Sequence, residues 1–182
     1  MDIPVNLSEY IKDSLINGCI CRWNKIEIKF FISPIIADIK NYEKSEYCEI
    51  IRTAAKIWSE TKVLNIEETK NRNCADIIVN WTKVGRKTEG NCKYLSIINS
   101  CFKLISLEIG LPNEYSPKTV SNDTILHTAL HEFGHALGLG HGIDTDDVMF
   151  VPHQKTLNKL SNNDLSVLKF LYSNPTGTRL NI

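Results

Sequence analysis

The stretch from His131 to His141, H-E-F-G-H-A-L-G-L-G-H, constrains this 182-residue chain more than any other. Histidines four apart on a helix project from one face, one turn above the other, at a separation that suits two corners of a zinc tetrahedron. His131 and His135 therefore read as two metal ligands on a helix beginning near Thr124. Asp123 or Ser121 is its cap, and Ile125, Leu126, Ala129, Leu130 and Phe133 are its apolar positions. Gly138 is placed to take a positive φ, stop the helix and turn the chain so that His141 arrives as a third nitrogen ligand. A fourth position is left for water. Glu132 follows the first ligand directly and lies beside the metal, where a general base is needed.

Charge sets the chemistry such a site supports. Three neutral imidazoles leave zinc its full positive charge, which brings the pKa of bound water towards about 7, within reach of a neighbouring carboxylate. A peptide carbonyl held there is open to hydrolysis, with Glu132 carrying the proton to the leaving amine. At ordinary residue frequencies this full pattern arises by chance in roughly one chain of this length in 100,000. A structural zinc site is the better competitor, but such sites usually close with a fourth protein ligand and have no use for an adjacent carboxylate.

Elsewhere the chain reads as one globular domain without repeats or linkers. No apolar run approaches the length of a membrane-spanning helix. Lys plus Arg equals Asp plus Glu at 21 each, so no global field draws the chain onto nucleic acid or an anionic membrane. Neither is expected as a partner. The N-terminus lacks a basic stretch before its apolar residues and does not read as a secretory signal. Six cysteines at irregular spacing leave the compartment open.

Periodicity predicts a helix over Asn6 to Ile16, a half-buried strand over Trp23 to Ile32, and a core-packing helix over Glu46 to Ser59. Strands follow at Val63 to Ile66 and at Ala75 to Trp81 (ADIIVNW), the latter almost continuously apolar and so interior. Further strands are expected near Tyr94 to Ile98 and over Phe102 to Leu111, and a last helix after Leu160-Ser161. The polar stretches around Lys83 to Gly90 and NEYSPKTVSND read as connections.

The motif resembles the metzincin clan of zinc endopeptidases, named for a methionine turn beneath the zinc. Asp147-Val148-Met149-Phe150 matches that turn, with Met149 eight residues beyond His141. LSNNDLSVLKFLY resembles the C-terminal helix of the matrixin-like branch, and ADIIVNW its central strand. The resemblance covers roughly Arg22 to Tyr172. It implies an α+β fold: a twisted mixed sheet of about five strands with a helix behind it, an active-site helix and a C-terminal helix. Residues 1–21 become an N-terminal arm and 173–182 a tail of a single catalytic domain spanning 1–182. It also implies an edge strand that pairs with an extended peptide or protein substrate, expected by position at Phe102 to Leu111. Phe150, Val151 and His153, just after the methionine, fall where the clan builds the wall of a substrate pocket. For His153 a plain surface loop is the alternative.

The departures carry expectations of their own. This chain has no histidine before His127, and WTKVGRKTEGNCKY is basic with one acidic residue. One catalytic zinc is therefore expected, without the structural zinc or calcium that matrixins commonly bind. No tyrosine stands two residues after Met149, so the extra zinc ligand of astacin-like and serralysin-like relatives is missing. The cysteine-bearing latency motif is absent, with Cys19 or Cys21 at most a loose analogue. Cys92 and Cys101 read either as a bridge or as free buried thiols, and His127 as a hydrogen-bonded helix residue. The expected protein is a monomeric zinc endopeptidase. The alternatives are a catalytically silent peptide-binding module of the same fold, or a zinc amidase with a small substrate.

Overall fold

The computed structural model describes residues 5–36, 41–83, 89–112, 120–153 and 156–181. Most of the basic connection before Gly90, and most of the NEYSPKTVSND connection, lie outside these residues. So do the first four residues, on which the signal reading partly rests.

The core is a five-stranded sheet. Its strands are β3 (Glu27–Ile32), β4 (Asn65–Glu68), β5 (Ile77–Lys83), β6 (Gly90–Ile98) and β7 (Cys101–Leu111), in the order β4-β3-β5-β7-β6. β3 pairs in parallel with β4 and β5, and β5 in parallel with β7. Only β6 runs antiparallel, against β7. The apolar run of β5 is explained by this placement, since a central parallel strand is covered on both faces. In β3, Ile28 and Phe30 are buried while Glu27 and Lys29 are exposed. The strand starts later than the alternation suggested: Ile26 is 67% exposed, and the chain turns before Glu27.

The edge of the sheet is corrected. Phe102 to Leu111 lies within β7, which is flanked by β5 on one side and β6 on the other. The edge strands are β4 and β6, and the one next to β7 is β6. The cause is the two-residue connection Asn99-Ser100, both at positive φ (51° and 60°), which folds β6 and β7 into a tight hairpin. A strand tied to its neighbour this way pairs with it antiparallel, and since β5 takes the other side of β7, β6 lies outermost. The hairpin also settles the cysteines. Cys92 faces Leu107 and Cys101 faces Ile98, about 20 Å apart along the strand, too far for a disulfide. Both are free thiols.

Helices α2 (Asn41–Ser59) and α3 (Asn122–Ala136) pack together, the Trp58 indole N–H donating to the Leu130 carbonyl at 2.9 Å. Phe133 of α3 meets Phe30 of β3 edge to face at 5.8 Å between ring centres. Ser121 is the residue that caps α3, its hydroxyl accepting the Thr124 N–H. Ser161 caps α4 (Asn162–Ser173) in the same manner through Asp164.

The N-terminal helix is shorter than its apolar stripe. A 3-10 turn (Val5–Leu7) leads into α1 (Ser8–Asp13), and the chain then enters a small hairpin of β1 (Leu15–Ile16) and β2 (Cys19–Ile20). Asn17-Gly18, both at positive φ, forms the hairpin turn. Tyr10, Ile11 and Ile20 are fully buried. The hairpin also meets the C-terminal residues, with Ile20 N–H donating to Thr178 O and Gly177 N–H to Ile20 O. No helix among the described residues is long and apolar enough to cross a membrane.

Candidate active site

α3 carries His131 and His135 on one face and ends at Ala136. Gly138, at φ +101°, reverses the chain as its position suggested, and His141 returns towards the helix. One ring nitrogen from each of these three histidines lies within 4.8 Å of one from both others. The rings approach to 4.6 Å (131 to 135), 5.0 Å (135 to 141) and 5.8 Å (131 to 141) between centres.

Each imidazole is held from behind through Nδ1. His131 Nδ1 faces the Val148 carbonyl at 2.9 Å, and His135 Nδ1 the Leu139 carbonyl at 2.9 Å. His141 Nδ1 lies 3.1 Å from an Asp13 carboxylate oxygen. A carbonyl oxygen only accepts, so the neutral rings of His131 and His135 carry their proton on Nδ1 and leave Nε2 with its lone pair. Burial pushes His131 down to about 2, with the nearby His135 adding to it, and lowers His135 as well. Those two rings are uncharged at neutral pH, the state a metal requires.

Glu132 is 6% exposed, and its Oε2 is buried without a hydrogen-bond partner. Burial alone raises its carboxyl to about 8. Three convergent nitrogen donors, with an orphaned buried carboxyl on the residue next to the first of them, fit a divalent cation with an open position, which would supply the charge and polar partner that the protein leaves missing. Met149 is fully buried beneath α3, its thioether pressed on Gly134, where any Cβ would overlap the sulfur.

Of the remaining sequence candidates, His153 lies close by. His153 stands 4.9 Å from the His131 ring and 4.2 Å from the His127 ring, with its Nδ1 3.7 Å from Glu89. His127 is buried outside the three-histidine group, its Nδ1 accepting the Leu157 N–H at 3.0 Å. Phe150 is half-buried and Val151 is 42% exposed. The Cys21 thiol is raised by burial, which favours the neutral form over a metal-binding thiolate.

Sequence reading placed Asp147 in the methionine turn but missed that it and Asp164 are buried acids whose hydrogen bonds hold that turn. Asp147 accepts the backbone N–H groups of Ile143 and Asp144 and the Ser161 hydroxyl. Asp164 accepts from Val148 N–H, Ser161 N–H and Tyr10 OH. Asp164 had a visible local signal, its position three residues after the capping Ser161. Asp147 combines local bonds to Ile143 and Asp144 with one to Ser161, whereas Gly134 and Asp13 are explained only by contacts across the fold.

The family described as Matrixin matches residues 22–173. Over 165 residues the chain is 26% identical to Karilysin from Tannerella forsythia, covering 85% of this chain. The chain spans about a third (34%) of the length of that relative.

Proposed function

This chain belongs to the matrixin family, and from that premise we propose that it is a zinc-dependent endopeptidase whose ligands are His131, His135 and His141. The supporting observation is the convergence of three imidazoles, together with a buried, unpartnered carboxyl on the residue that follows the first of them. When bound, zinc supplies a Lewis acid that activates water and polarises a carbonyl, and its charge favours the ionised form of Glu132. Glu132 then takes a proton from the attacking water at its carboxylate and delivers it to the departing amine nitrogen. Val148 O, Leu139 O and Asp13 hold the three rings against rotation, so the ligand set needs little reorganisation.

Substrate enters as an extended peptide along the free edge of β6, pairing through main-chain groups. Exposed Tyr94, Leu95, Ile97 and Ile98 on this strand offer apolar contacts. Met149 supports the floor of the site, and Phe150, Val151 and His153 line a pocket beyond it. One zinc per chain, no calcium, a monomeric state and the single domain of residues 1–182 complete the reading.

The test is a cleavage profile of a diverse peptide library read by mass spectrometry, with and without a zinc chelator. Cleavage within peptides that the chelator abolishes is the expected result. A zinc-loaded protein inert across the library would favour a silent peptide-binding module.

A further inference from the structure

The three histidines are not anchored alike. His131 and His135 are held by backbone carbonyls of the motif and the turn after it. His141, whose side chain is 46% exposed, instead meets a side chain from the other end of the chain. One Asp13 carboxylate oxygen lies 3.1 Å from His141 Nδ1 and accepts the His141 backbone N–H at 2.6 Å. Asp13 lies outside the residues that match the family, 22–173.

The surrounding contacts show a built junction. The Ser14 hydroxyl accepts the Gly140 N–H at 2.8 Å and donates to the Tyr10 carbonyl at 2.8 Å. Gly140 lies so close to the Asp13–Ser14 peptide unit that a Cβ there would overlap it. α1 is itself tied down through Tyr10, whose hydroxyl donates to the buried Asp164 at 2.7 Å. The last residue of α1 is therefore delivered to His141 by a fixed element.

We propose that Asp13 is a positioning residue of the metal centre: its carboxylate holds the third histidine by ring and backbone at once, presenting Nε2 towards His131 and His135. This rests on the zinc-site reading above. A carboxylate behind a metal-binding imidazole fixes its tautomer and rotation, and loss of such a partner typically weakens metal affinity 10- to 100-fold. Without Asp13, the most exposed of the three rings is free to rotate away, and metal binding has to order it.

The experiment measures zinc affinity of the full chain by competition with a chromogenic chelator, together with the visible absorption of the cobalt(II)-loaded protein. Asp13→Ala is expected to bind zinc about 10- to 100-fold more weakly with an unchanged far-ultraviolet circular dichroism spectrum and an altered cobalt spectrum. Asp13→Asn keeps the shape and an acceptor oxygen without the charge. It should fall in between, at least roughly threefold weaker than wild type, and serves alone if the alanine variant does not fold. Zinc affinity at the wild-type value in the folded variants, even with a lowered melting temperature, would overturn the proposal and leave the zinc-site reading intact. A wild-type protein that bound no zinc would overturn both.

Discussion

Tyr10 donates its phenolic hydrogen to Asp164 at 2.7 Å, and neither residue exposes any surface. The other Asp164 oxygen accepts the Val148 N–H at 3.0 Å, and the Val148 carbonyl faces His131 Nδ1 at 2.9 Å. Hydrogen bonds thus run from the N-terminal helix, through the methionine turn, to the first proposed ligand. Tyr10→Phe removes one donor and leaves a buried carboxyl oxygen unsatisfied, at a cost of about 1–3 kcal/mol. Thermal unfolding should show a melting temperature lower by about 2–12 °C. An unchanged midpoint would mean that Asp164 finds a replacement partner.

Gly134 is set by packing. A methyl group there would strike the Met149 sulfur and crowd Trp58. Gly134→Ala gains helix propensity, worth about 1 kcal/mol, yet overpacking of this kind costs about 1–3 kcal/mol. A net loss of stability in urea unfolding is expected, together with weaker zinc binding as the turn shifts. A stabilised variant would show that Met149 has room to move.

The metal-free protein should respond to pH on both sides of neutrality. His131, pushed by burial to about 2, and His127, pushed by burial to about 4, lie below their ordinary values. Their contribution to stability is fully present above about pH 6.5 and is lost as pH falls below it. Glu132 has the opposite sign. Burial raises it to about 8, so its contribution is full below its ordinary value and is lost as pH rises through about 8. Metal-free Glu132→Gln should therefore be more stable than metal-free wild type at about pH 9 and equal to it at about pH 4. Denaturant unfolding at the two pH values checks this, and equal stability at the higher pH would contradict it.

Much of this site was legible because its central pieces are local. Two of the proposed ligands sit one helical turn apart, and the reversal to the third needs a glycine at Gly138, so spacing alone conveys the arrangement. Elements with clear periodicity, such as α2 and β5, were found with their ends displaced by a few residues. The misplaced sheet edge has a different cause. Strand order depends on the Asn99-Ser100 turn, which lacks the glycine that usually announces a tight hairpin. Asp13 was unreadable for a third reason: it meets His141 across 128 positions of sequence, and no local pattern marks an aspartate at the end of a short helix as a partner.

The central claim, that Glu132 moves the proton while the three histidines hold zinc, is tested most directly by Glu132→Gln. The measurement is zinc content together with kcat/KM on a peptide substrate cut by wild type. The account predicts one zinc per chain in both proteins and a loss of roughly 100- to 10,000-fold in kcat/KM for the variant. A zinc-loaded Glu132→Gln protein that cleaves at the wild-type rate would contradict it.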